Sequence, residues 1–224
     1  MRALAQDSSR RFSWAEVSFF QRWWSEQSTA TKQSVRSCVA SGQLEFVEGG
    51  WSQSDEIVTD LDSRLSQLTS GHQWLLQELG VRPAVGWKID PFGASSLTPS
   101  LFSAAGLDHM VKCRIPDEEK ERLEAAGQAE LHWAAPEEQG AGKIFLHVLR
   151  SYSSLCGHGF DFDQYRTASP TVTPDNVAER ASAVLGLAQQ WASFTGNRSV
   201  MMLPWGGDFR WQNGSYYYGN MSKV

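Results

Sequence analysis

Two aspartates stand in settings where a carboxylate could do chemistry. Asp90 follows the apolar-rich run Val85-Gly86-Trp87-Lys88-Ile89 and precedes Pro91-Phe92-Gly93, and Asp208 lies in the loop Trp205-Gly206-Gly207-Asp208-Phe209. Isolated carboxylates flanked by aromatics suit glycoside hydrolysis. That reaction needs one carboxylate as nucleophile and another as general acid and base, on opposite sides of the bond. Pro91 stiffens the backbone behind Asp90, as a nucleophile requires, while Trp205 and Phe209 give Asp208 an apolar surround of the kind that favours a protonated carboxyl. An aspartate after a strand also serves as a helix cap, so spacing alone leaves both readings open.

These residues need elements to hold them. Hydrophobic period predicts strands at about 44–48, 85–89, 109–113, 143–149 and 199–203, with helices at about 15–41, 59–79, 98–105 and 174–194. Strand–helix–strand alternation of this length predicts a parallel sheet with helical crossovers, open or closed into a barrel. Reactive groups then gather at the C-terminal strand ends. Those ends carry Trp51, Asp55 and Glu56; Asp90; Arg114; Arg150 and Tyr152; and Asp208 with Arg210. The segment 116–142, rich in Glu, Ala, Gly and Gln, reads as an exposed helix and loop insertion whose charge run 117–122 is a solvated helix face.

Composition narrows the function classes. A 224-residue chain with 41% hydrophobic and 20% charged residues is globular, and a net charge of −5 without a basic stripe argues against nucleic-acid binding. The apolar stretches are too short and too interrupted to span a bilayer, and residues 1–11 do not read as a signal peptide. Ten tryptophans are many; for any one of them core packing is the favoured role, yet their number suits a cleft that stacks on sugar rings. Cys38, Cys113 and Cys156 show no metal-knuckle spacing and leave room for one disulfide plus a thiol. Sequons at Asn197, Asn213 and Asn220 point towards the secretory pathway, lysosomal or extracellular.

The run Gly86-Trp87-Lys88-Ile89-Asp90-Pro91-Phe92-Gly93 closely resembles the nucleophile motif of glycoside hydrolase family 38, the α-mannosidases of the lysosome, Golgi and epididymis. Phe19-Phe20-Gln21-Arg22-Trp23-Trp24, Leu44-Glu45-Phe46-Val47-Glu48-Gly49-Gly50-Trp51, Asp55-Glu56 and Gly71-His72-Gln73-Trp74-Leu75 resemble further family segments, in family order. The resemblance covers nearly the whole chain and is weakest at 116–142. It implies the seven-stranded β/α barrel of the family's N-terminal catalytic domain, and zinc-dependent, retaining hydrolysis of terminal α-linked mannose from oligosaccharides and N-glycans. Asp90 falls at the nucleophile, which in the family also binds zinc, and Asp208 at the acid/base. Phe92, Arg114 and Tyr152 match substrate-contacting positions, and Arg210 joins them as a binding candidate. Asp90 would attack the anomeric carbon while Asp208 protonates the leaving oxygen and later activates water, with the two carboxyl groups about 5–5.5 Å apart.

Three departures accompany the resemblance. The family's His-x-Asp zinc pair does not occur in this sequence, and its last zinc histidine would lie beyond Val224, so none of His72, His109, His132, His147 and His158 is assigned to the metal. Ala94 replaces a common histidine and Gly207 a common aspartate; Ala94 and Pro204-Trp205-Gly206 lean towards the epididymis-type branch. The chain therefore reads as part of the catalytic domain, without the first barrel strand and the C-terminal end of the barrel, and Asp90 as its one zinc ligand. The alternative is a non-catalytic sugar-binding or interaction remnant. A polysaccharide deacetylase on a related barrel ranks lower, because its His-x-x-x-His pair is missing.

Overall fold

The computed structural model describes the chain apart from residues 141, 153, 163–168 and 197–199. It forms two compact units, residues 1–115 with 131–147, and residues 116–130 with 148–224. In chain order the elements are α1 (Arg2–Ala5), β1 (Phe12–Trp14), α2 (Val17–Ser25), α3 (Thr29–Ala40), β2 (Leu44–Phe46), α4 (Leu61–Leu79), β3 (Val85–Lys88), α5 (Thr98–Ala104), β4 (His109–Lys112), α6 (Asp117–Ala125), β5 (Glu130–Ala134), β6 (Lys143–Val148), α7 (Val177–Ala192) and α8 (Gly214–Met221). Short 3₁₀ turns occupy Glu137–Gln139, Ser154–His158 and Ser193–Thr195.

The first unit is mixed α/β. Strands β1 and β2 pair in parallel, as do β3 and β4, and the larger sheet runs in the order β3-β4-β6-β5. Helix α2 buries Val17, Phe20 and Trp24, spaced to fall on one helical face. Phe20 meets Phe46 of β2 edge-on at 4.9 Å, and Trp24 meets Trp74 of α4 edge-on at 6.1 Å. Asp60 caps α4 by accepting from the Ser63 amide, and Gly80 ends it in the left-handed conformation. At Gly71, a Cβ would lie 2.0 Å from the Gly49 carbonyl oxygen, so only glycine lets α4 pass this close to the Gly49-Gly50 turn.

The second unit packs Leu155, Phe160, Phe162, Val172, Trp191 and Tyr217 into its own core. Trp211 stacks on Tyr217 at 4.4 Å, and Trp205 lies 5.6 Å from Phe162. Several tryptophans thus take the core role that the sequence favoured.

Four expectations need correction. The helix at 15–41 is two helices: Ser28 takes an extended conformation and caps α3 by accepting from the Thr31 amide, which interrupts the run. The stretch 200–203 is not a strand, and Ser199 lies outside the described residues. The insertion at 116–142 holds the solvated helix α6, but it also supplies β5 at the sheet edge. The disulfide that the sequence left open is not formed, and Cys38, Cys113 and Cys156 are all free thiols. Among the described residues the strands make a two-stranded and a four-stranded sheet, and a seven-stranded barrel is not seen.

Candidate active site

The two carboxylates belong to different units, so each is described within its own. In the first unit Asp90 lies two residues beyond the end of β3, and Arg114 two residues beyond the end of the neighbouring β4. Parallel pairing brings these positions side by side, with Lys88 opposite Lys112. Arg114 donates from Nε at 3.0 Å and from Nη2 at 2.8 Å, both to Oδ1 of Asp90. Its guanidinium also covers the Phe92 ring at 4.5 Å. Asp90, Phe92 and Arg114 are thereby one cluster, with Phe92 61% exposed and offering an apolar face to solvent.

Beneath this cluster lies a layer of buried charge that the sequence reading missed. Lys88 Nζ sits 3.0 Å from Glu48 Oε1 and donates to Ser54, and both charged side chains are essentially inaccessible. Burial pushes the Glu48 carboxyl up, against the pull of Lys88. Glu48 also adopts a left-handed backbone (φ 54°), its amide donating to Val85 and its carbonyl bonded to His72 Nε2 at 2.7 Å. Lys112 donates to the Gly93 carbonyl at 2.8 Å, and Glu56 Oε2 accepts from the Ser95 amide at 2.7 Å and the Thr98 hydroxyl at 2.6 Å. Burial holds the Lys112 ammonium below its ordinary range, opposed by Glu56. One sign was available: a lysine within an otherwise apolar strand is expensive to bury unless it meets an acceptor or an anion.

In the second unit Asp208 accepts a 2.5 Å hydrogen bond from the Tyr152 hydroxyl. Both line a cavity of about 320 Å³ with Cys156, Gly157, Gly206, Gly207 and Arg210. Phe209 and Trp211 are left-handed (φ 56° and 68°), a costly state for bulky residues. Contacts that hold this turn include the Trp205 indole donating to the Phe160 carbonyl, the Trp211 indole donating to the Trp205 carbonyl, and Arg210 pairing with Asp161 at 2.8 Å. Asp161, unnoticed in the sequence, also accepts from the Tyr217 hydroxyl at 2.6 Å. The apolar enclosure expected for Asp208 is absent: Asp208 is exposed and Phe209 is 77% exposed. Burial pushes the Cys156 thiol up to about 12, with Asp161 adding to the effect and Arg210 opposing it, which disfavours the thiolate.

The sequence as a whole matches the model of the glycosyl hydrolases family 38 N-terminal domain over residues 1–224. The chain belongs to this family. It is 37% identical to α-mannosidase B of Dictyostelium discoideum over 99% of the chain and 24% of that protein. It is 35% identical to the lysosomal α-mannosidase of the same organism, over 99% of the chain and 22% of that protein. With the human epididymis-specific α-mannosidase it shares 33% identity, over 99% of the chain and 24% of that protein. The chain thus spans about a quarter of the length of these relatives. A crystal structure of an α-mannosidase from Enterococcus faecalis V583 shares the fold at a TM-score of 0.64, with 16% identity over 99% of this chain and 23% of that one.

Family membership raises the question of zinc. Asp90 offers one carboxylate, with Oδ1 engaged by Arg114, and no three His, Cys, Asp or Glu side chains converge among the described residues. A catalytic zinc takes three protein ligands, so the described residues do not by themselves fit the metal. The sequons fare unevenly. Asn220 is 2% exposed, accepting from the Val172 amide and donating to the Tyr216 carbonyl, so the folded chain has no room for a glycan there. Asn213 caps α8 by accepting from the Tyr216 amide, and Asn197 lies outside the described residues. No described helix is long and apolar enough to cross a membrane.

Proposed function

We propose that this chain supplies the two catalytic carboxylates of a retaining α-mannosidase, with Asp90 as nucleophile and Asp208 as general acid and base. The observation that carries the reading is the Asp90–Arg114–Phe92 cluster at adjacent parallel strand ends, inside a sequence that belongs to family 38. Arg114 fixes Oδ1 and leaves Oδ2 of Asp90 to face an anomeric carbon. Attack there forms a C1–O bond as the glycosidic C1–O bond breaks, and the Asp208 carboxyl gives its proton to the leaving oxygen. Asp208 then takes a proton from water as the water displaces Asp90, restoring both carboxyl groups and retaining the anomeric configuration. Tyr152 fixes the rotamer of Asp208, and the cavity beside it suits one sugar ring. In the other unit, Phe92 offers a solvent-facing apolar ring of the kind on which a sugar can stack. The substrate is a terminal α-mannoside of an oligosaccharide, and the compartment is secretory or lysosomal, the latter being named for one relative, the lysosomal α-mannosidase of Dictyostelium discoideum. Zinc dependence and a seven-stranded barrel are what the family resemblance implies for the whole protein.

The test is hydrolysis of an aryl α-mannoside by the protein at its full natural length, followed by proton NMR. α-Mannose as the first-formed product supports the reading, and β-mannose contradicts it. Mannose binding without any turnover would favour the sugar-binding remnant.

A further inference from the structure

We propose that Lys112 and Glu56 are positioning residues for Asp90, two buried opposite charges that pin the loop carrying it at Gly93 and at Ser95. The inference rests on the nucleophile reading of Asp90 and adds to it what sets the angle of attack.

Residues 89–97 join β3 to α5 and contain the Asp90-Pro91-Phe92-Gly93 turn. At Gly93 the carbonyl accepts from Lys112 Nζ at 2.8 Å. Two residues on, the Ser95 amide donates to Glu56 at 2.7 Å. Glu56 is tied in turn through the Thr98 hydroxyl, which donates to it at 2.6 Å and accepts from Arg64 Nη2 at 2.8 Å. Lys112 is 1% exposed, Glu56 7%, Arg64 4% and Thr98 0%. The anchors are therefore held in rotamers that solvent does not reach.

Stability alone does not explain these charges. Taking an ammonium and a carboxylate out of water costs free energy that their attraction only partly returns, and an apolar pair of the same volume commonly stabilises as well or better. Among the described residues Glu56 Oε1 has no hydrogen-bond partner, so part of the desolvation cost goes uncompensated. What the pair provides is direction. Each anchor holds one backbone group in one place, and Gly93 completes the turn at φ +76°, where an added Cβ would lie 2.4 Å from Ile57. Misplacing a reacting group by about 1 Å can cost about 100-fold in rate.

The experiment compares Lys112→Met, Glu56→Gln and the double variant Lys112→Met/Glu56→Leu with wild type, all at full natural length. Each is assayed for kcat and KM on an aryl α-mannoside, for melting temperature, and for the rate at which a 5-fluoro-mannosyl fluoride labels Asp90. In labelling, the Asp90 carboxylate forms a bond to C1 as the C1–F bond breaks and fluoride leaves, so no proton donor is needed. The single variants should lose about 10- to 100-fold in kcat and in labelling rate with KM changed by less than about threefold. The double variant, which removes both charges together, should melt no lower than the less stable single variant without recovering either rate. Wild-type labelling rates in the folded variants would overturn the positioning role, as would rates restored together with stability in the double variant. Labelling of wild type at a residue other than Asp90 would overturn the nucleophile reading instead.

Discussion

The two carboxylates are held in opposite ways. Asp90 stands on paired strands, gripped twice by Arg114 and underlain by Lys88, Glu48, Lys112 and Glu56, all nearly inaccessible. Asp208 stands on an exposed turn, bonded to Tyr152 and steadied at a distance by Trp205, Trp211 and the Arg210–Asp161 pair. The contrast fits the two tasks. A nucleophile must meet one carbon along one line, whereas an acid that later acts as a base must reach a leaving oxygen and then a water. The difference lies in the support and not in exposure alone, since the Asp90 side chain is itself 49% exposed; under the proposed roles, the densest support falls where the direction of attack matters.

The largest effect should come from removing the gripped carboxylate. Asp90→Asn should lower kcat by at least about 1,000-fold, since the covalent intermediate cannot form, with circular dichroism and melting temperature near wild type. An unfolded variant would show that the Arg114 contact serves the fold before the chemistry. Asp208→Asn should cost about 100-fold on a natural mannoside and clearly less on an aryl mannoside with a good leaving group, which needs little protonation. Equal losses on both substrates would remove the acid role from the exposed turn.

A backbone test of the same contrast follows. Gly93→Ala places a side chain at φ +76° against Ile57 and should destabilise by about 1–2 kcal/mol, measured by urea unfolding. Gly207→Ala, whose added Cβ would meet only Arg210 at 3.4 Å, should stay within about 0.5 kcal/mol of wild type. Comparable costs at both sites would contradict a rigid first loop and a permissive second.

The smallest effect is a matter of pH. Burial lowers the Lys112 ammonium, against Glu56 and Asp55 and with Lys88. The unfolded chain therefore binds more protons between that lowered value and the ordinary 10.5, and stability from this group rises with pH across that window. Melting temperatures measured from neutral pH towards 10.5 should show Lys112→Met losing that rise. A rise of the same size in the variant would place its source in another group.

Legibility in the sequence followed the same divide. The Asp90 and Asp208 motifs, most strands and the helix at about 59–79 could be read, because pattern is a local signal; the Asp60 cap of α4 came only with the structure. Strand β5, Glu-Leu-His-Trp-Ala, was hidden because it is a short edge strand with no fully buried side chain, and it directly follows the Ala-, Gly- and Gln-containing stretch 125–129. The break before α3 was signalled by Ser28 but lay inside a continuous helical period. The stretch 200–203 has the composition of a strand yet pairs with none. Lys112, Glu56 and Asp161 gained their roles only through partners at least 19 residues away, which no local pattern records.

Trapping the covalent intermediate tests the central claim most directly. The full-length protein, incubated with a 5-fluoro-mannosyl fluoride, digested and sequenced by mass spectrometry, should carry the fluoromannosyl ester on Asp90. An ester on another carboxylate, or undiminished turnover with Asp90 unlabelled, would contradict it.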